Sequence, residues 1–194
     1  MTTNPAIGLG GFNGKQMKAI MGFCRKGNAL HLLHTPFMSG GKMYATDQFI
    51  CMVYDMSSVP DSTVPRDKVW SLPAETLEKP LVKDGFHLAT PHNGTPVWAK
   101  LKSDLDRVCE DNTDKLSPVV NQLNELFERD ACGDYVAPLW VDPKLVAKVC
   151  AIADAFSLTT MKFENVPYGE GSYFLRVSFY GNDKLTLIIM PKRM

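Results

Sequence analysis

Three groups of residues have types and spacings that could do chemistry: a glycine-rich run ending in lysine, a pair of histidines, and two lysine stripes. The run Gly8-Leu9-Gly10-Gly11-Phe12-Asn13-Gly14-Lys15 invites a phosphate-loop reading. Such a loop needs Gly where Leu9 stands and Ser or Thr where Gln16 stands. No hydrophobic strand precedes the run, so a dinucleotide loop fits no better, and the segment reads as an arm or loop. His31 and His34 fall in a strand candidate, where a separation of three puts them on opposite faces, and no Cys or carboxylate stands at ligand spacing nearby. His87 and His92 flank a loop, and Asp47 and Asp55 read as turn and strand-end residues. There is no Gly-x-Ser-x-Gly elbow and no paired-carboxylate signature. The expectation is a binding protein and not an enzyme, with no metal and no cofactor.

The lysine stripes carry more. Lys15, Lys18 and Arg25 recur along one side of an N-terminal helix candidate, and Lys144 and Lys148 sit one turn apart on a later one. Two equivalent basic helices would meet a phosphate backbone without sequence preference and with strong salt dependence. The same lysines also suit two solvated helix faces.

The elements that must position these residues follow from periodicity. Lys15 to Arg25 is predicted helical, with Met17, Ile20, Met21 and Cys24 on its apolar stripe, and Gly27-Asn28 ends it. Strands are predicted over Ala29 to Pro36, Lys42 to Thr46 and Phe49 to Asp55, with a hairpin turn at Ser39-Gly40-Gly41. Val69 to Leu72 adds a short strand. Val97 to Glu110 and Ser117 to Arg129 read as helices, the second with Ser117 as cap and Pro118 at its first position. Its apolar face is Val119, Val120, Leu123, Leu126 and Phe127, and its polar face is Asn121, Asn124, Glu125 and Glu128. Tyr135 to Val141 is predicted as a strand, and Asp142-Pro143 opens a helix running to Phe156. Strands over Thr159 to Glu164, Ser172 to Phe179 and Lys184 to Met190 close the chain. The order helix, strand, strand, strand therefore occurs twice. The predicted fold class is α+β: one domain over 1–194, with a first unit over 15–78, a helical insertion over 79–134 at one edge, and a second unit over 135–194. The two helices are expected side by side on one face of an antiparallel sheet.

Composition fits that picture. The chain has 194 residues, is 45% hydrophobic and 22% charged, and can bury a real core. Lys+Arg and Asp+Glu are both 21, which argues against a strongly basic tail but leaves room for a local basic face. No apolar run has the length of a membrane span, and the N-terminus lacks signal-peptide features. Five cysteines without close pairing suit free thiols in a reducing cytoplasm.

Four segments resemble the bacterial DNA sliding-clamp family. Gly41-Lys42-Met43-Tyr44-Ala45-Thr46-Asp47 is similar to the clamp strand that ends in Ala-Thr-Asp, and Ser71-Leu72-Pro73-Ala74-Glu75-Thr76-Leu77 to the clamp element leading through Pro-Ala into a helix. Trp140-Val141-Asp142-Pro143-Lys144-Leu145-Val146 is similar to the strand-to-helix entry of the clamp's last domain. The chain ends Leu187-Ile188-Ile189-Met190-Pro191-Lys192-Arg193-Met194, which resembles the clamp's C-terminal strand and Met-Pro motif. The region 79–134 has no counterpart. The resemblance implies a DNA-clamp-like fold in which Lys15, Lys18, Arg25, Lys144 and Lys148 face duplex DNA. It implies a peptide cleft near the C-terminal strand at Phe174, Ile188, Met190, Pro191 and Arg193, where replication proteins dock. This chain has the length of about one of the family's modules, so a ring would require a homo-oligomer, and the alternative is a protein that forms no ring. The runner-up is an adaptor that keeps the fold without encircling DNA and uses the acidic-faced helix of the insertion to bind a protein.

Overall fold

Apolar residues on neighbouring positions of the central strands divide between two faces, so both faces of the sheet must be covered. The computed structural model describes residues 12, 14–24, 33–56, 69–71, 86–89, 97–100, 110–132, 139–169 and 171–191. In chain order these form α1 (Gly14–Met21), β1 (Phe37–Ser39), β2 (Lys42–Thr46), β3 (Ile50–Asp55), β4 (Trp70–Ser71), β5 (Phe86–Ala89), β6 (Val97–Lys100), β7 (Glu110–Asp111), α2 (Thr113–Glu128), α3 (Pro143–Ala155), β8 (Met161–Pro167), β9 (Tyr173–Phe179) and β10 (Asn182–Ile189).

Eight strands form one sheet in the order β7-β4-β1-β2-β3-β10-β9-β8, antiparallel at every pairing. The junction of β3 with β10 joins the early strands to the late ones, with Ile50 opposite Ile189 and Met52 opposite Leu187. β5 and β6 pair separately as a two-stranded sheet. The turn between β1 and β2 is Gly40-Gly41, both at positive φ (57° and 76°), the backbone twist a two-residue hairpin needs.

On the first face, Met43, Ala45, Ile50, Met52, Leu185, Leu187 and Ile189 pack with Ile20 and Phe23 and with Val149 and Ile152 of α3. α1 and α3 contact each other on this face. On the second face, Phe37, Tyr44, Cys51, Val166, Phe174 and Ile188 pack under Leu116, Val120, Leu123 and Leu126 of α2. Each such apolar side chain stabilises the fold by about 1.5–3 kcal/mol relative to exposure. The sheet is thus sandwiched between α1 with α3 and α2. Of the insertion expected at one edge, β7 does end the sheet beside β4, whereas α2 lies over the second face. The apolar side chains of the second face, Tyr44 and Phe174 among them, need a cover, and α2 supplies it.

Other expectations shift locally. Val97–Lys100 is a strand paired with Phe86–Ala89 and not the start of a helix; the β-branched and aromatic pair Val97-Trp98 follows the helix-breaking Pro96. α2 begins at Thr113, so Ser117 and Pro118 lie inside it instead of capping it. Asn124 leaves the polar face: its Oδ1 accepts a 2.7 Å hydrogen bond from the Tyr44 hydroxyl, tying α2 to β2. Burial pushes the Tyr44 hydroxyl up to about 12, partly offset by that bond. Leu139–Val141 is not strand, and the rest of the strand predicted over Tyr135 to Val141 lies outside the described residues. The cap of α3 is as expected, with Asp142 accepting from the Lys144 backbone N–H at 2.8 Å.

Candidate binding sites

The first candidate site is the outer face of α1 and α3. Lys15, Lys18 and Lys144 are exposed there. Lys15 is paired across the two helices: its Nζ lies 3.0 Å from Asp154 of α3 and also donates to the Asp154 carbonyl at 3.3 Å. Lys148, expected to be exposed, is half-buried, and its Nζ meets Asp47 Oδ2 at 2.5 Å. The side chains of that pair are only 28% and 16% exposed, so the charge is committed to the fold. Arg25 lies outside the described residues. The stripes therefore present Lys18 and Lys144 as their uncommitted cations among the described residues. Between them α3 exposes Ala147, Cys150 and Ala151.

The partner of Lys148 explains the Ala45-Thr46-Asp47 motif. Thr46 Oγ1 accepts from the Gln48 N–H at 3.0 Å and donates to the Ile50 carbonyl at 3.0 Å. Asp47 Oδ1 accepts from the N–H groups of Phe49 (2.9 Å) and Ile50 (3.0 Å). Four side-chain bonds thus lock a turn that holds Gln48 at φ 81°, a conformation a non-glycine residue adopts only when its surroundings impose it. The other carboxylate oxygen of Asp47 anchors α3. Asp47 was read only as a turn residue; its longer-range partner is one hundred and one positions away, and no local signal in the sequence marks it.

The second candidate site opens beside this turn. A pocket of ≈ 300 Å³ lies between α2 and the ends of β2, β3 and β10. Val119, Leu123 and Leu126 form its helical wall, Met190 and Cys51 its sheet side, and Gln48, Gln122 and Tyr168 supply polar groups. Phe49, next to Gln48, is 64% exposed, and its carbonyl accepts the Met190 N–H at 2.8 Å. The cleft residues expected from the sequence divide accordingly. Met190 lines the pocket, and Pro191 is half-buried just beyond it. Phe174 and Ile188 do not line it: both are 0% exposed in the core beneath α2, on strand positions that point inward at the middle of the sheet. Arg193 lies outside the described residues. Val119, Leu123 and Leu126 stand on the apolar face read from the sequence, but periodicity alone does not separate residues that seal a core from those that border an opening.

A network of charged side chains adjoins the pocket through Tyr168. Arg129 stacks its guanidinium 5.8 Å from the centre of the Tyr168 ring and donates to the Pro167 carbonyl at 3.3 Å. Arg176 donates to the Arg129 carbonyl at 2.7 Å and lies 3.4 Å from Glu164. The hydrogen bond from Lys162, at 2.8 Å, and the charge of Arg176 hold the Glu164 carboxyl below the usual carboxylate range. Burial pushes the thiols of Cys24 and Cys51 up, so both stay protonated and unreactive at neutral pH. Among the described residues no group of three or more His, Cys, Asp or Glu side chains is placed to hold a metal ion, and no helix is long and apolar enough to cross a membrane. His34 sits in a turn before β1, and His31 lies outside the described residues.

No protein-family model matches the chain, and no curated protein matches it. Among solved structures it is similar to the DNA polymerase sliding clamp from Pseudomonas aeruginosa, at 11% identity and a TM-score of 0.44, covering 95% of this chain and 66% of that one. The same clamp with a ligand matches at 11% identity and 0.42 over 95% and 65% of the two chains. A sliding clamp of that organism bound to griselimycin matches at 11% and 0.44 over 100% and 68%. The chain thus spans about two thirds of the length of these clamps, and their likeness to it is one of distant overall shape.

Proposed function

We propose that this chain is a clamp-like binding protein whose principal docking site is the pocket between α2 and the end of β10, where it takes an apolar peptide segment of a replication protein. One observation carries the reading: an open pocket with Val119, Leu123, Leu126 and Met190 in its walls and a few polar groups, Gln48, Gln122 and Tyr168, placed to orient a main chain. The fixed Thr46–Ile50 turn forms one wall, so little ordering accompanies binding. In this reading α1 with β1–β3 and α3 with β8–β10 are the two clamp-like units, and the insertion contributes α2, which builds the pocket without a second module. Fluorescence anisotropy with a short leucine-rich peptide tests it. Val119→Glu puts a charge on the pocket wall at a half-buried position and is expected to weaken binding about tenfold or more, a loss of about 1.4 kcal/mol, with the fold retained. Unchanged affinity in the folded variant would remove the pocket from the account.

A second reading, sequence-independent contact with duplex DNA, is favoured by the exposure of Lys18 and Lys144 on the two packed helices. With Lys15 and Lys148 engaged by Asp154 and Asp47, two phosphate contacts are expected from the described lysines. The slope of log K against log salt is then about −1.8, well short of the roughly −3.6 that four contacts give. Lys18→Glu with Lys144→Glu is expected to abolish that dependence. A slope unaltered by the double variant would place any DNA contact elsewhere.

A further inference from the structure

We infer that the pocket selects an apolar side chain followed by a carboxylate, so that its ligand is an apolar–acidic peptide segment and Arg129 is the residue that sets this preference. The inference rests on the peptide-docking reading and adds the chemistry of the partner. Arg129 is the residue that ends α2, seven positions after the pocket-lining Gln122 and three after Leu126, so its side chain starts from the same side of the helix end. Its guanidinium packs over Tyr168, itself part of the pocket lining. The Pro167 carbonyl takes one of its N–H groups, and Arg176 holds its backbone. The cation is therefore fixed before a ligand arrives, yet remains exposed with further N–H donors to give to a planar carboxylate.

Charge around it points the same way. Glu164, the nearby half-buried carboxylate, is taken by Lys162 and Arg176. Among the described residues, no carboxylate makes an ion pair with Arg129. Asp130 and Glu125 are exposed and screened by solvent, and Glu128 acts on Tyr44, on the other side of α2. A lysine or arginine beside the apolar anchor would meet a fixed like charge.

Three labelled peptides test this, identical in Gly-Leu-Leu-X-Gly with X as Asp, Asn or Lys, measured by fluorescence anisotropy at constant ionic strength. The Asp peptide is expected to bind about tenfold tighter than the Asn peptide, the Lys peptide weakest, as a charge-assisted, preorganised contact at a pocket rim warrants. Arg129→Gln should bring the Asp and Asn affinities within about twofold of each other, and Arg129→Lys should keep part of the preference because it keeps the charge without the fork. Equal Asp and Asn affinities in the wild type, or a preference that survives Arg129→Gln, overturns the inference while the pocket stands. Failure of all three peptides to bind, or binding that Val119→Glu leaves intact, overturns the pocket reading itself and this one with it.

Discussion

Phe174→Ala is expected to lower stability by about 3–5 kcal/mol and to change the peptide affinity of the folded protein by no more than about threefold. The phenyl ring is fully buried on the second face of the sheet, where it packs in one cluster with Ile188 and the α2 residues Leu116, Val120, Leu123 and Leu126, and edge-on to Tyr168 at 6.4 Å. Removing it leaves a cavity that a sheet clamped between helices on both sides collapses into only in part. For a chain of this size the melting temperature should fall by roughly 6–20 °C. Denaturant unfolding of wild type and variant, with anisotropy on the folded protein, separates the two roles at issue. A cleft residue would lose affinity and keep its stability; a core residue does the reverse. Retained stability with lost binding would return Phe174 to the cleft that the family resemblance implies.

The second large effect is expected at Asp47. Asp47→Ala removes two hydrogen bonds to the backbone N–H groups of Phe49 and Ile50 and leaves Lys148 half-buried without its counter-ion. Hydrogen bonds to a charged acceptor contribute about 1.5–3 kcal/mol each, and stranding a partly buried charge adds to their loss. Some solvent reaches the pair, so the total is expected at about 3–4 kcal/mol. Lys148→Met keeps most of the aliphatic packing and should cost about 1–2 kcal/mol. A double-mutant cycle between the two should show a coupling of about 1–2 kcal/mol. Additive losses would mean that the pair does not join the helix layer to the turn. The variant also bears on function, because the Thr46–Ile50 turn supplies Thr46, Gln48 and Ile50 to the pocket. Its loss should weaken peptide binding even in the fraction that stays folded.

Where sequence alone succeeded, the signals were local. Lys42–Thr46, the Gly40-Gly41 turn and the Asp142 cap each depend on a few adjacent residues, and the described structure has all three. The late strands came within about three residues at their ends, a scatter usual for boundaries read from pattern. Val97–Lys100 was read as helix because four residues do not define a period, and its partner Phe86–Ala89 lay hidden in a stretch full of helix and strand breakers. The basic stripes were legible as residues but not as a site. Whether a lysine faces solvent or a carboxylate depends on Asp154 and Asp47 across the fold, and helical spacing is silent about both. The cleft shows the same limit: Met190, just past the end of β10, sits at an opening and Ile188, two positions earlier, at the centre of a core, and only the placement of α2 separates them.

The most direct test of a docking site at α2 is a methyl NMR titration of the labelled protein with the Gly-Leu-Leu-Asp-Gly peptide. Methyl groups report on both candidate surfaces in one experiment: Val119, Leu123, Leu126 and Met190 around the pocket, Val146, Ala147 and Ala151 on the open side of α3. The first set is expected to shift in a saturable way while the second stays in place. Shifts confined to Val146, Ala147 and Ala151, with the pocket methyls unmoved, would contradict the account and move the binding surface to the α1–α3 face.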